Sequence, residues 1–91
     1  MKTMTVHVSV QQMKAALSQE VGAPNPLRIT NKNGEVMVRF IRGFADNQNN
    51  ILLLSEKFET PGLKILEVKE IVAVEYFDET KQSFSKILLK E

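Results

Sequence analysis

Residues 31–44 read NKNGEVMVRFIRGF, and the pairing this stretch adopts decides the fold. Asn33-Gly34 lies between two alternating apolar runs, and both residues tolerate the positive φ that a type I′ hairpin turn demands. With Asn33 and Gly34 as the two loop residues, Lys32 is expected to face Glu35, Ile29 to face Val38, Arg28 to face Arg39 and Leu27 to face Phe40. Leu27, Ile29, Val36, Val38 and Phe40 then share one face, and Arg28, Thr30, Met37, Arg39 and Ile41 share the other. The second strand is apolar on both faces. A small barrel needs this where one strand bends sharply and contributes to two sheets. Gly43 sits where the bend is expected. Lacking a side chain to collide at the corner, it lets Phe40 and Phe44 both point inward.

On the N-terminal side, residues 3–10 alternate Met4, Val6, Val8 and Val10 against Thr5, His7 and Ser9, the period of a strand with one buried face. Ser9 and Gln12 have capping-box spacing, and Val10, Met13, Leu17 and Val21 recur every three or four residues, which predicts a short helix over about residues 10–21. Gly22 suits the left-handed cap position, and neither Pro24 nor Pro26 can continue the hydrogen-bond ladder. On the C-terminal side, ADNQNN (45–50) reads as a polar loop and ILLLSE (51–56) as a strand. Pro61-Gly62 marks a turn, and residues 63–68 and 71–77 read as strands split at Lys69-Glu70 by one tight turn. Residues 83–90 read as a strand completing a hairpin through DETK, with a helix using Phe84, Ile87 and Leu88 as the alternative. One domain is expected over residues 1–91: a strand at 1–9, the helix, a small barrel over 27–77 and a strand at 83–90.

Arg28 to Tyr76 resembles the Sm-like small barrel, a member of the SH3-like group. The likeness is carried by Asn33-Gly34 leading into a long bent strand, then Gly43-Phe44, Asp46, Asn50 four positions on, and the apolar run Ile51–Leu54. The resemblance implies a mainly β fold, about five bent antiparallel strands with a short N-terminal helix and extra terminal strands. It also implies RNA as a partner, yet Arg39 stands where the family has a mid-strand glycine. Gln48 replaces the base-stacking side chain, and VKEIVAVE (68–75) lacks the arginine-glycine pair of the second motif. The resemblance therefore supports fold more than function.

Composition bounds the remaining possibilities. Ninety-one residues supply one core, and 43% hydrophobic with 25% charged residues is ordinary for a globular domain. A net charge of +1 gives no bulk field to draw the chain onto nucleic acid or anionic lipid. The absence of cysteine excludes disulfides, thiolate metal sites and thiol catalysis, and fits a reducing, cytoplasmic setting. Apolar runs reach only four residues, too short to cross a membrane as a helix.

Five residues are the binding candidates: Arg28, Arg39, Arg42, Asp46 and Asn50. Two guanidiniums paired across strands repel, at a cost of about a few tenths of a kcal/mol or more. An anion between Arg28 and Arg39, joined by Arg42, would relieve that cost. The plainer reading gives the counter-charge to Glu35, Glu67 or Glu75, since the chain has eleven acidic residues. On the repelling-pair reading, Arg39→Glu leaves stability unchanged or raises it. Asp46 and Asn50 offer acceptors and donors to a base edge or peptide, or hold the turn through their own backbone. His7 is the single histidine and has no companion for chelation. No catalytic motif, metal motif or cofactor signature is present. A non-catalytic binding or assembly module acting through strand edges or a polar loop surface follows, with a protein partner or self-association and a homo-oligomer expected. An RNA-binding Sm-like protein is the alternative, and a small-ligand sensor, as in regulators with related barrels, the second.

Overall fold

A computed structural model describes residues 3–58, 64–78 and 83–90. The elements run β1 (Thr3–Val8), α1 (Val10–Gln19), β2 (Leu27–Asn31), β3 (Val36–Phe44), β4 (Ile51–Ser55), β5 (Lys64–Glu67), a 3₁₀ turn (Val68–Glu70), β6 (Ile71–Asp78) and β7 (Ser83–Leu89). The expected Pro61-Gly62 and DETK turns lie outside the described residues. Among the described residues, seven strands form one open sheet in the order β1-β7-β6-β2-β3-β4-β5. The chain is mainly β, with one α-helix among the described residues.

Local signals account for the helix. The Ser9 hydroxyl accepts from the Gln12 amide at 3.2 Å, and the Gln12 side chain accepts from the Ser9 amide at 2.9 Å, so the capping box is complete. Met13 and Leu17, four positions apart, are the buried face. They meet Val8, Val68 and Ile71 in the core, and truncating either to alanine costs about 2–5 kcal/mol. Past the helix, Gly22 takes φ +77 and its amide donates to the Ile41 carbonyl at 3.1 Å, tying the helix exit to the bent strand.

The hairpin forms, but one residue out of the expected register. Leu27 faces Arg39, Arg28 faces Val38, Ile29 faces Met37 and Thr30 faces Val36. Asn31 is the cause. Its side-chain carbonyl accepts from the amides of Asn33 and Glu35, both at 3.0 Å. Its backbone carbonyl accepts from Gly34 at 3.0 Å, and its amide donates to the Glu35 carbonyl at 3.0 Å. The loop is therefore three residues, Lys32 to Gly34, with Gly34 at φ +83, rather than a two-residue type I′ turn. A one-residue slip exchanges the faces of a strand. Met37 and Ile41 are buried beside Leu27 and Ile29, while Val36 and Val38, expected in the core, are 51% and 52% exposed.

β3 is the bent strand shared by two partners. Its first half, to Arg39, pairs with β2, and from Phe40 onward it pairs with β4. The ladder to β4 shifts between Ile41 and Gly43, so Arg42 is an extra residue, a bulge that bends the strand. Gly43 is required for a different reason from the one expected. A Cβ there would meet nothing within 4 Å, but φ is +151, which L side chains rarely adopt. Phe44 packs on the core, whereas Phe40 leaves it and meets Phe58 edge-on at 5.6 Å between ring centroids.

Ala73, Val74 and Glu75 on β6 pair with both β2 and β7, and Tyr76 pairs with β7. Residues 83–89 are a strand, not a helix, and β1 lies parallel to them. A row of side chains crosses the sheet on the core face: Met37, Ile29, Val74, Ile87 and Val6. The first four are buried.

Gly43→Ala is expected to lower stability by about 1–2 kcal/mol through backbone strain alone, a Tm loss of roughly 4–8 °C per kcal/mol in a domain this size. Gly34→Asn, which keeps a residue tolerant of positive φ, is expected to cost less. Equal thermal melts for Gly43→Ala and the parent would contradict the bulge geometry.

Candidate functional site

The 45–50 loop is held mainly by its own backbone. One Asp46 carboxylate oxygen, Oδ1, accepts from the amides of Asn50 at 2.9 Å and Ile51 at 3.0 Å, and Oδ2 accepts from Asn50 at 3.2 Å. The Ala45 amide closes the loop onto the Ile51 carbonyl at 2.8 Å, and Asn49 takes the left-handed conformation with φ +58. Asparagine tolerates that region better than most residues. The Asn50 side-chain amide donates to Gln48 at 3.3 Å, and the Asn50 carbonyl accepts from the Val68 amide at 2.8 Å. Asp46 thus has the turn-holding role that the sequence offered as its plainer reading.

The last of those bonds draws the loop toward the 3₁₀ turn and opens a cleft of about 410 Å³. Its lining comes from the first turns of α1 (Val10, Lys14), from the loop (Asp46, Asn50) and Ile51, and from Glu67 and Lys69. Two of the five candidates therefore share a concavity within the usual size of small-ligand pockets. The cleft holds two ammonium and two carboxylate groups, so its formal charge balances. Lys69 and Glu67 are 3.6 Å apart and mostly exposed.

The three arginines are distributed differently. Arg28 and Arg39 are not opposite one another, which removes the repelling pair and the anion it implied. Arg28 lies between Val38 on one side and Glu75 on the other. Glu75 is also 4.0 Å from Lys86, giving an alternating row of charges on the outer face. Arg39 pairs with Glu56 at 3.5 Å and donates to the Val38 carbonyl at 2.8 Å. Arg42 donates to the Phe58 carbonyl. Of the three carboxylates expected to supply counter-charge, Glu75 lies opposite Arg28 in the β2–β6 register, and its ion pair is with Lys86. Glu35 instead accepts from the Asn31 side-chain amide at 3.4 Å, and Glu67 faces Lys69.

Sequence spacing missed an outer apolar strip. Val36, Val38 and Phe40 alternate along β3 on the face away from the core, and Phe58, 40% exposed, packs against Phe40. The one available signal was the two-faced apolarity of β3, which the bend explains only in part. The contributions of Lys14 and Lys69 to the cleft carried no sequence signal, because three distant segments supply it. Among the described residues, no group of three or more His, Asp or Glu side chains is arranged to hold a metal ion, and no helix is long and apolar enough to cross a membrane. His7 is exposed.

Comparison with protein-family models, with curated proteins and with solved structures finds no match to this chain.

Asp46→Ala, which strips three backbone contacts of their acceptor, is expected to destabilise the fold by about 1–2 kcal/mol in denaturant titration, with Asp46→Asn intermediate. An unchanged midpoint would show the carboxylate free for another task. Arg39→Glu sets a carboxylate beside Glu56, so stability is expected to fall by up to about 1 kcal/mol, since one partner is well exposed. The register reverses the sign expected from a pair of facing arginines.

Proposed function

We propose that this chain is a non-catalytic binding or assembly module built on a small SH3-like barrel spanning β2 to β6. Three features support the barrel reading. The strand order β6-β2-β3-β4-β5 is the order such a barrel takes. β3 turns a corner at its bulge. The 3₁₀ turn is bonded at both ends, from the Lys32 amide to the Glu70 carbonyl at 2.9 Å and from Val68 to Asn50, bringing β5 round toward β6. In this reading α1 covers one opening, and β1 and β7 extend the sheet beyond the barrel.

The observation that carries the binding role is the outer strip of β3. Val36 and Val38 are half exposed on a strand that pairs with β4 only from Phe40 onward, so the backbone edge beside them is open among the described residues. Apolar side chains next to unpaired backbone groups are the features that strand-addition partners use. A protein segment fits this surface better than RNA does, because Arg39 and Arg42 already have partners within the chain and the strip beside them is made of uncharged apolar side chains. The cleft lined by Asp46 and Asn50 favours a second reading, a small-ligand sensor, whose ligand would have to match a balanced set of charges.

A photoreactive side chain at position 38 is expected to yield discrete protein adducts in cells, while the same group at exposed Gln11 on α1 yields none. Mixed single-stranded RNA is expected not to bind at low salt. RNA adducts at position 38, with affinity that collapses as salt rises, would replace this proposal by the RNA-binding alternative.

A further inference from the structure

The open sheet ends in two edges, and they are built differently. β5 is short and carries Lys64 and Glu67 at its ends, charges that discourage another strand from adding. β1 has no charged residue, no proline and no bulge from Thr3 to Val8. Among the described residues it pairs with β7 alone.

The direction of its free backbone groups follows from one bond. The Lys90 amide donates to the Val8 carbonyl at 2.6 Å. In a parallel ladder, alternate residues bond the same neighbour. Val6 and Val8 therefore address β7, and the N–H and C=O groups of Thr5 and His7 point outward from the sheet. The side chain of Val6 ends the core-face row of Met37, Ile29, Val74 and Ile87, yet it is 49% exposed because no further strand continues the row.

We infer that β1 is the pairing edge for a second copy of this chain, antiparallel about a two-fold axis at Val6. In that register Val6 opposes Val6 of the copy as a close, non-hydrogen-bonded pair. Thr5 and His7 of each chain exchange hydrogen bonds with His7 and Thr5 of the other. The apolar row runs on without a break into the copy's own core. No like charges meet, since the edge carries none apart from the imidazole of His7, which lies opposite a threonine. The two seven-stranded sheets become one. An axis normal to the sheet leaves both β3 strips on the same side, so the inference rests on the proposed binding role and makes the module bivalent.

The chain lacks cysteine, so Val6→Cys introduces a sole thiol whose opposite number lies at disulfide distance in this register. Mild oxidation is expected to convert Val6→Cys to a covalent dimer, while Thr5→Cys alone stays largely monomeric. His7→Pro removes an outward N–H and no bond to β7, and Val6→Lys sets two ammonium groups face to face. Each is expected to keep the thermal melt of the parent at concentrations where the parent is itself monomeric, and to weaken the dimer at least about tenfold in sedimentation. A parent dimer that neither substitution weakens, or one in which Thr5→Cys cross-links as well as Val6→Cys, overturns the edge and its register while leaving the β3 adducts of the binding reading intact. A parent that stays monomeric at submillimolar concentration overturns the inference outright. Loss of the position-38 adducts with the dimer retained would instead sink the binding reading.

Discussion

One strand, β3, has to serve two neighbours that lie at an angle to each other, and the rest of the molecule is arranged around the way it does so. The extra residue Arg42 and the positive φ of Gly43 bend it between the half that pairs with β2 and the half that pairs with β4. A straight strand would place Phe44 and the β4 leucines beyond reach of the core that Leu27 and Ile29 occupy. The helix reports the same constraint, since its exit is bonded to Ile41 at the bend. Glycine serves there for its torsional freedom, and the space around it is empty.

Asn31 is the second decision point. Its single side-chain oxygen satisfies two backbone amides in the hairpin loop and lengthens that loop by one residue. Strand side chains alternate, so this local preference decides which of two apolar sets enters the core. Met37 and Ile41 are buried, and Val36 and Val38 are left outside. The same shift sets Val38 rather than Arg39 opposite Arg28, while β6 places Glu75 on its other side. A buried residue beside the turn thus decides which face of the next strand is exposed.

The surfaces left over have different chemical characters. The 45–50 loop and the 3₁₀ turn enclose a cleft of balanced charge. The outer strip of β3 is apolar beside an open backbone, and β1 is an uncharged edge at the far end of the sheet. The cleft carries ammonium and carboxylate groups in equal number, whereas the β3 strip and the β1 edge present apolar and uncharged polar groups.

Element types and boundaries were largely legible from residue order because they depend on short-range physics. The Ser9 and Gln12 cap, the alternation in β1, the break at Lys69 and Glu70 and the strand at β7 each involve groups within a few residues of one another, whereas the helix ends at Gln19, two residues short of the expected end and ahead of Pro24. The presence of a hairpin at Asn33-Gly34 and of a bend near Gly43 was legible on the same ground. The register was not, because a two-residue and a three-residue loop fit the same residues, and only the competition between Asn31's side chain and its backbone separates them. Which residues face one another across the hairpin depends on that register, and the membership of the cleft depends on contacts between distant segments. The sequence by itself determined which segments are strand, helix or turn. The tertiary structure alone decided which faces of those segments meet, because a strand's two faces exchange with a single step of pairing.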